Sequence, residues 1–241
     1  MARDLDAIAR LRTVCGMCGK FAAGHLTQRQ MADLMNYFLY GTLLPDGSVP
    51  SANPGYQVNP TDLVNMAMSQ EDGFLLTSAK WQMTPQGSSR KLINSKIENA
   101  EFWARYWQSG RCVIPAIGYY EWSEVDGRKE PHFITIRRNN PLLFFAGFYG
   151  RGSDGKYECS IITRKPAEQI AHLHSRMPVI MAPEQIQNWL TYTMSQEQAQ
   201  NEMGTGWEGR FEYHRVAPIK SDSEGPELIE PYDPPQASFD F

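Results

Sequence analysis

In Met17-Cys18-Gly19-Lys20-Phe21 a cysteine is followed directly by glycine and a basic residue, the pattern in this chain best suited to nucleophilic chemistry. Gly19 adds no side chain beside the thiol, so the backbone there can be approached closely. As a mature first residue, Cys18 would carry two nucleophiles on adjacent carbons, an α-amine with an unperturbed pKa of about 7.7–8.0 and a thiol of about 8.5. Such a pair captures aldehydes. The amine condenses to an imine, and the thiol closes a five-membered thiazolidine ring onto the same carbon. By residue type alone, a lone cysteine is more often a small buried hydrophobe.

Three other positions could work beside it. Glu121 nearly closes the apolar run CVIPAIGYYEW, Cys112 to Trp122. In an extended chain Tyr119 and Glu121 share one face and Tyr120 and Trp122 the other, so the carboxylate emerges among aromatic rings with little water. Desolvation raises a carboxyl pKa and suits the group to proton transfer near neutrality; the alternative is a solvated residue at a strand end. In LHSRMPV, His174 and Arg176 stand just outside a strand that Pro178 introduces, with His172 as a competitor. Asn94, in LINSKIE, is either a buried turn-former or a placed hydrogen-bond donor. Cys15 and Cys18 have CxxC spacing, but Cys112 and Cys159 are too far apart to form a second ligand pair. Neither a metal nor another cofactor is expected.

The elements that must position these groups alternate helix and strand patterns. Residues 1–16 read as an extension, either removed or ahead of the true start. Thr27 and Gln30 form a capping box before Met31, Leu34, Met35, Phe38 and Leu39 on one helical face. Residues 44–60, rich in Pro, Gly, Ser and Asn and ending in YQVNP, read as an ordered loop or edge segment. Strand patterns cover Phe74–Leu76, Lys80–Met83, a pair within Cys112–Trp122, His132–Arg137, Leu142–Tyr149 and Tyr157–Thr163. Turn residues at Val125-Asp126-Gly127, Arg138–Pro141 and Ser153-Asp154-Gly155 separate the later ones, which predicts an antiparallel meander. Phe102, Trp103, Tyr106 and Trp107 predict a core-facing helix, Pro166 precedes a short one, and Pro183 opens another with Ile186, Trp189 and Leu190. After Ser221 the chain carries six acidic residues and no basic one, predicting a solvated, partly mobile tail.

Hydrophobic residues at 41% and charged residues at 21% fit an ordinary globular protein. A net charge of −4 leaves nucleic acid to a local basic strip. No apolar run reaches membrane-spanning length and no secretory segment precedes Met17, so a cytoplasmic protein with no membrane partner is expected, its four cysteines as thiols.

The ordered set MCGKF, YQVNP, LINSKIE, GRCVIP with YYEW, KEPHFI and LHSRMPV resembles the SRAP family, the SOS-response-associated peptidases also called abasic-site processing proteins. The resemblance implies a single α+β domain over residues 17–232, a strongly bent, barrel-like antiparallel sheet flanked by helices, with 233–241 as an acidic tail. It implies a monomer acting in DNA damage response: an N-terminal cysteine traps the ring-opened sugar of abasic sites in single-stranded DNA as a covalent link, with associated lyase activity. The alternative is a thiol (auto)peptidase cutting before Cys18. Carried over by residue, Cys18 is the nucleophile, Asn94 the amide beside it, Glu121 the catalytic carboxylate and His174 the catalytic imidazole; Lys20, Lys96 and Arg176 hold DNA phosphate. Lys20 and Lys96 stand where the family has arginine, keeping charge but losing the bidentate fork. The loop between Trp81 and Leu92 lacks the tandem aromatics that some relatives wedge against bases.

Overall fold

The computed structural model describes residues 19–25, 27, 29–31, 33, 43–44, 55–99, 101–137, 142–205, 207 and 209–233. The chain forms β1 (Phe21–Ala22), β2 (Leu43–Leu44), β3 (Leu63–Gln70), β4 (Gly73–Trp81), β5 (Asn94–Lys96) and β6 (Arg111–Ala116). It continues with β7 (Gly118–Val125), β8 (Arg128–Ile136), β9 (Leu143–Arg151), β10 (Tyr157–Arg164), β11 (Met177–Pro178) and β12 (Phe211–Arg215). The predicted turn between β7 and β8 is a two-residue hairpin, with Asp126 at φ 50° and Gly127 at φ 72°.

The larger sheet closes on itself. β4 pairs with β3, β3 with β6, β6 with β9 and β9 with β10, all antiparallel, and β10 returns to β4 in parallel. The expected barrel is therefore present, but its sheet is mixed rather than antiparallel, since β5 also runs parallel to β10 and β2 parallel to β4. Closure satisfies strand edges that an open sheet would expose. Pro115 sits inside β6 opposite Phe144; β3 pairs β6 at Cys112 and Val113, so the proline falls beyond that ladder.

A second, antiparallel sheet has the order β1-β7-β8-β12. It breaks the expected meander: β8 pairs with β7 and β12, so β9 passes to the barrel instead. Both edges of β8 are filled, one by a strand from far along the chain.

Side-chain alternation divides the core. Met66, Met68, Trp81, Cys112, Ile114, Phe145 and Ile161 gather with Phe21 and Tyr119 on one side of the strands. Ala67, Val113, Phe144, Ala146 and Ile162 face the other, against Trp103 and Trp107 beside and within the helix Ala104–Ser109, and Ile186, Trp189 and Leu190 of the helix Pro183–Leu190. The short helix after Pro166 is a 3-10 turn, Glu168–Ile170. The capping box is made: Thr27 N donates to Gln30 Oε1 at 3.0 Å and Gln30 N to Thr27 Oγ1 at 3.2 Å. The face predicted for Leu34, Met35, Phe38 and Leu39 lies outside the described residues. Among the elements without a clear sequence pattern are β3, β12 and the helix Gln196–Thr205, whose polar run buries Ala199 and Met203. The acidic segment after Ser221 is not simply solvated, because Leu228 packs with Ala22, Tyr120, Phe133 and Val216, and Tyr232 N donates to Arg215 O at 2.9 Å.

Candidate active site

β1 is short but anchored on both sides. Phe21 lies opposite Tyr119 in register, exchanges backbone hydrogen bonds with Val58, and packs its ring against Trp81 and Phe145 at 5.1 and 5.8 Å. Tyr120 N donates to Lys20 O at 3.1 Å, and its hydroxyl donates to Tyr56 O at 2.7 Å. The YQVNP motif is thus the strap that holds the entering chain. Its Asn59 accepts a hydrogen bond from the Lys20 ammonium. Partial burial lowers the Lys20 pKa, opposed by Asp62. Carried toward the N-terminus, the β1–β7 register runs toward Glu121. Cys18 itself lies outside the described residues, which begin here with Gly19.

Glu121 is 4% exposed, on the same face of β7 as Tyr119. Burial pushes its carboxyl from 4.5 up to about 8. Among the described residues its Oε1 has no hydrogen-bond partner, and its Oε2 lies 3.6 Å from His174 Nδ1. The imidazole comes from the loop before β11 and is partly open to solvent. Its Nδ1 is 3.2 Å from Arg176 N, which donates to it in one tautomer, and 3.1 Å from Arg176 O, which accepts from it when Nδ1 is protonated. A buried acid and a reachable imidazole therefore meet where the two sheets join.

Asn94 begins strand β5 rather than turning the chain, opposite Ile161 and 5% exposed. Its neighbours fix it: Ile93 O accepts from Ile161 N at 3.1 Å and from Trp81 Nε1 at 2.9 Å, and the Ser95 and Ser160 hydroxyls are 2.8 Å apart. Lys96 follows, exposed, opposite Thr163. Arg176 is already occupied. Its guanidinium donates to both Glu98 carboxylate oxygens at 2.7 and 2.9 Å and to Thr163 O at 2.6 Å. The hydrogen bond from Arg176 holds the Glu98 carboxyl below its ordinary range. Of the three expected phosphate cations, Lys96 is exposed on the surface with its charge felt by Glu98, Lys20 is half-buried and Arg176 is ion-paired. Glu98 carries no signal of its own within LINSKIE, because nothing in the local sequence says which cation it will meet. His132, in KEPHFI, stands directly across from Glu121 once β7 and β8 are paired, and alternation along both strands is the signal that could find it.

A family model described as SOS response associated peptidase (SRAP) matches residues 17–219. The chain belongs to the SRAP family. All seven expected site residues fall inside that SRAP match. The chain is similar to abasic site processing protein YobE of Bacillus subtilis, 31% identical over 187 residues that cover 72% of this chain and 82% of the relative. It is also similar to abasic site processing protein YedK of Escherichia coli, 25% identical across 89% of this chain and 100% of the relative. A solved structure of a Bacteroides thetaiotaomicron protein shares the fold, with a TM-score of 0.70 at 17% identity, covering 89% of this chain and 100% of that one. A phage-related protein of Bordetella bronchiseptica does likewise, with a TM-score of 0.65 at 24% identity over 83% and 94%. Among the described residues of this SRAP domain, no cluster of three His, Cys, Asp or Glu could hold a metal ion, and no helix is long and apolar enough to cross a membrane.

Proposed function

We propose that this SRAP protein processes abasic sites in single-stranded DNA by covalent capture, with Cys18 as nucleophile. The observation that carries the reading is the buried Glu121 carboxyl against His174, on the strand toward which the register of β1 runs. The ring-opened abasic sugar presents an aldehyde. The Cys18 amine adds to it, and the carbinolamine must lose its hydroxyl as water, which needs a proton donor. A carboxyl with a pKa of about 8 still holds its proton near neutrality and can give it to that leaving oxygen. The thiol then adds across the imine, its proton passing to nitrogen, and the thiazolidine forms. Asn94 orients the attacking amine, and His174 serves the sugar hydroxyls, strand scission or reversal of the link. Lys96, with Lys20, gives the strand a local positive contact despite the chain's net charge of −4. The amine of Cys18 is free only once residues 1–17 are gone, so the active form starts at Cys18. The names of the similar abasic site processing proteins support the substrate.

Protein starting at Cys18, mixed with uracil-containing single-stranded DNA pretreated with a uracil glycosylase, gives a heat-stable adduct; Cys18→Ser gives none. An undiminished adduct from Cys18→Ser overturns the proposal.

A further inference from the structure

The site face of the four-stranded sheet does not stop at Glu121. Glu121 stands opposite His132 on β8, and His132 stands opposite Arg215 on β12. On the same face of β12, two residues before Arg215, is Tyr213, which remains 41% exposed at the sheet edge. Its parity is fixed by Phe211, whose side chain joins Tyr119 and Ile134 in the core beneath. The ring of Tyr213 leans on that of His172, with centroids 5.3 Å apart at 59°.

The loop carrying both histidines is clamped to this strand. Gln169 accepts from Phe211 N at 3.2 Å and donates to Gly209 O at 3.3 Å. One anchored loop therefore places His172 on Tyr213 and His174 on Glu121. Arg215 adds a cation held by Glu130 at 2.9 Å. With strands about 4.8 Å apart and a rise of about 3.4 Å per residue, Tyr213 lies roughly 12 Å from Glu121 along the sheet. A stacked single strand, rising about 3.4 Å per nucleotide, covers that distance in no more than about four nucleotides.

We propose that Tyr213, braced by His172 and flanked by Arg215, is a stacking subsite for an intact base of the same single strand, within about four nucleotides of the abasic sugar. The inference rests on the abasic-site reading above and deepens it. A planar ring beside a cation is the combination by which proteins hold single strands without reading sequence. Lys96 on β5 belongs to the larger sheet and Tyr213 on β12 to the four-stranded one, so charge and ring come from different sheets.

The test is fluorescence anisotropy at fixed salt, with a labelled single strand carrying one unreactive tetrahydrofuran abasic analogue. Tyr213→Ala should weaken binding about 5- to 150-fold, the range that base stacking supplies. Tyr213→Phe should bind within about twofold of wild type. Tyr213→Leu, which keeps apolar packing but offers no planar face, should lose affinity like Ala, and it serves should Ala fail to fold. On a strand whose flanking nucleotides, four on each side, are also abasic spacers, all variants should match wild type. Tyr213→Ala or Tyr213→Leu binding the ordinary strand as tightly as wild type overturns the subsite, as does an equal loss on the base-free strand. The two readings separate in the wild type: an adduct with reactive abasic DNA together with unchanged Tyr213 variants removes the subsite alone, whereas neither adduct nor binding removes the abasic-site function and the subsite with it.

Discussion

Replacing Glu121 with glutamine should slow the chemistry and, in alkaline solution, stabilise the fold. Burial raises the folded-state carboxyl pKa from 4.5 to about 8. Between those values the folded chain keeps a proton that the unfolded chain has released, so stability falls as pH rises through that window. At about 1.4 kcal/mol per pKa unit, the penalty is roughly 3 kcal/mol at pH 7 and about 5 kcal/mol above pH 8. Glutamine has almost the same shape and no charge, so it escapes this penalty. Urea unfolding of wild type and Glu121→Gln at pH 5, 7 and 9 should show the variant gaining on wild type by several kcal/mol across the series. His174 lies 3.6 Å away, so repeating the comparison in a His174→Ala background isolates the carboxyl. In the same preparations the rate of adduct formation at neutral pH should fall about 10²- to 10⁴-fold, the range of a general acid. A stability difference that stays flat from pH 5 to 9 would refute the reasoning, since Glu121 would then not be the buried, protonated acid that dehydration of the carbinolamine requires.

His174→Ala should leave initial capture measurable while changing release of the link or strand scission; time courses of adduct and cleaved strand check this, and equal loss of every step in Glu121→Gln and His174→Ala would show that the two act as one unit. Glu98→Gln should release the Arg176 guanidinium from its two-pronged pair and steepen the salt dependence of single-strand binding by about 0.7 in log–log slope, one added phosphate contact; an unaltered slope would mean that Arg176 stays with Thr163 rather than turning to DNA. Gly118→Ala places a Cβ 2.2 Å from Phe133 Cζ and 2.8 Å from Ile134 O, so it should destabilise by about 1–3 kcal/mol through overpacking. A wild-type urea midpoint for that variant would show that the β7–β8 contact yields easily.

The features readable along the chain are those fixed by near neighbours. Thr27 and Gln30 form a capping box because both partners lie within one helical turn. Asp126-Gly127 forms the hairpin because the two residues together tolerate positive φ. Alternation with Tyr119, Tyr120 and Trp122 places Glu121 on the face of Tyr119, since a strand sends successive side chains to opposite faces; that this face is buried at Glu121 rather than solvated is seen only in the structure. Asn94 is less legible: LINSKIE reads as a turn or as the site of a placed donor, and the strand that Asn94 begins depends on pairing with the distant Ile161.

Many of the local elements, the residue types capable of aldehyde capture and the ordered motifs of an SRAP protein are legible along the chain. Tertiary structure alone decided which of them meet. The parallel closure of β10 on β4, the passage of β9 out of the meander, the docking of Leu228 and the capture of Arg176 by Glu98 all join residues distant in the chain. Such contacts depend on which strand edge or apolar patch is still unfilled after the rest has packed, and no local periodicity carries that information. The same holds for His174 against Glu121 and Tyr213 against His172: the loop's attachment to β12 through Gln169 sets both distances.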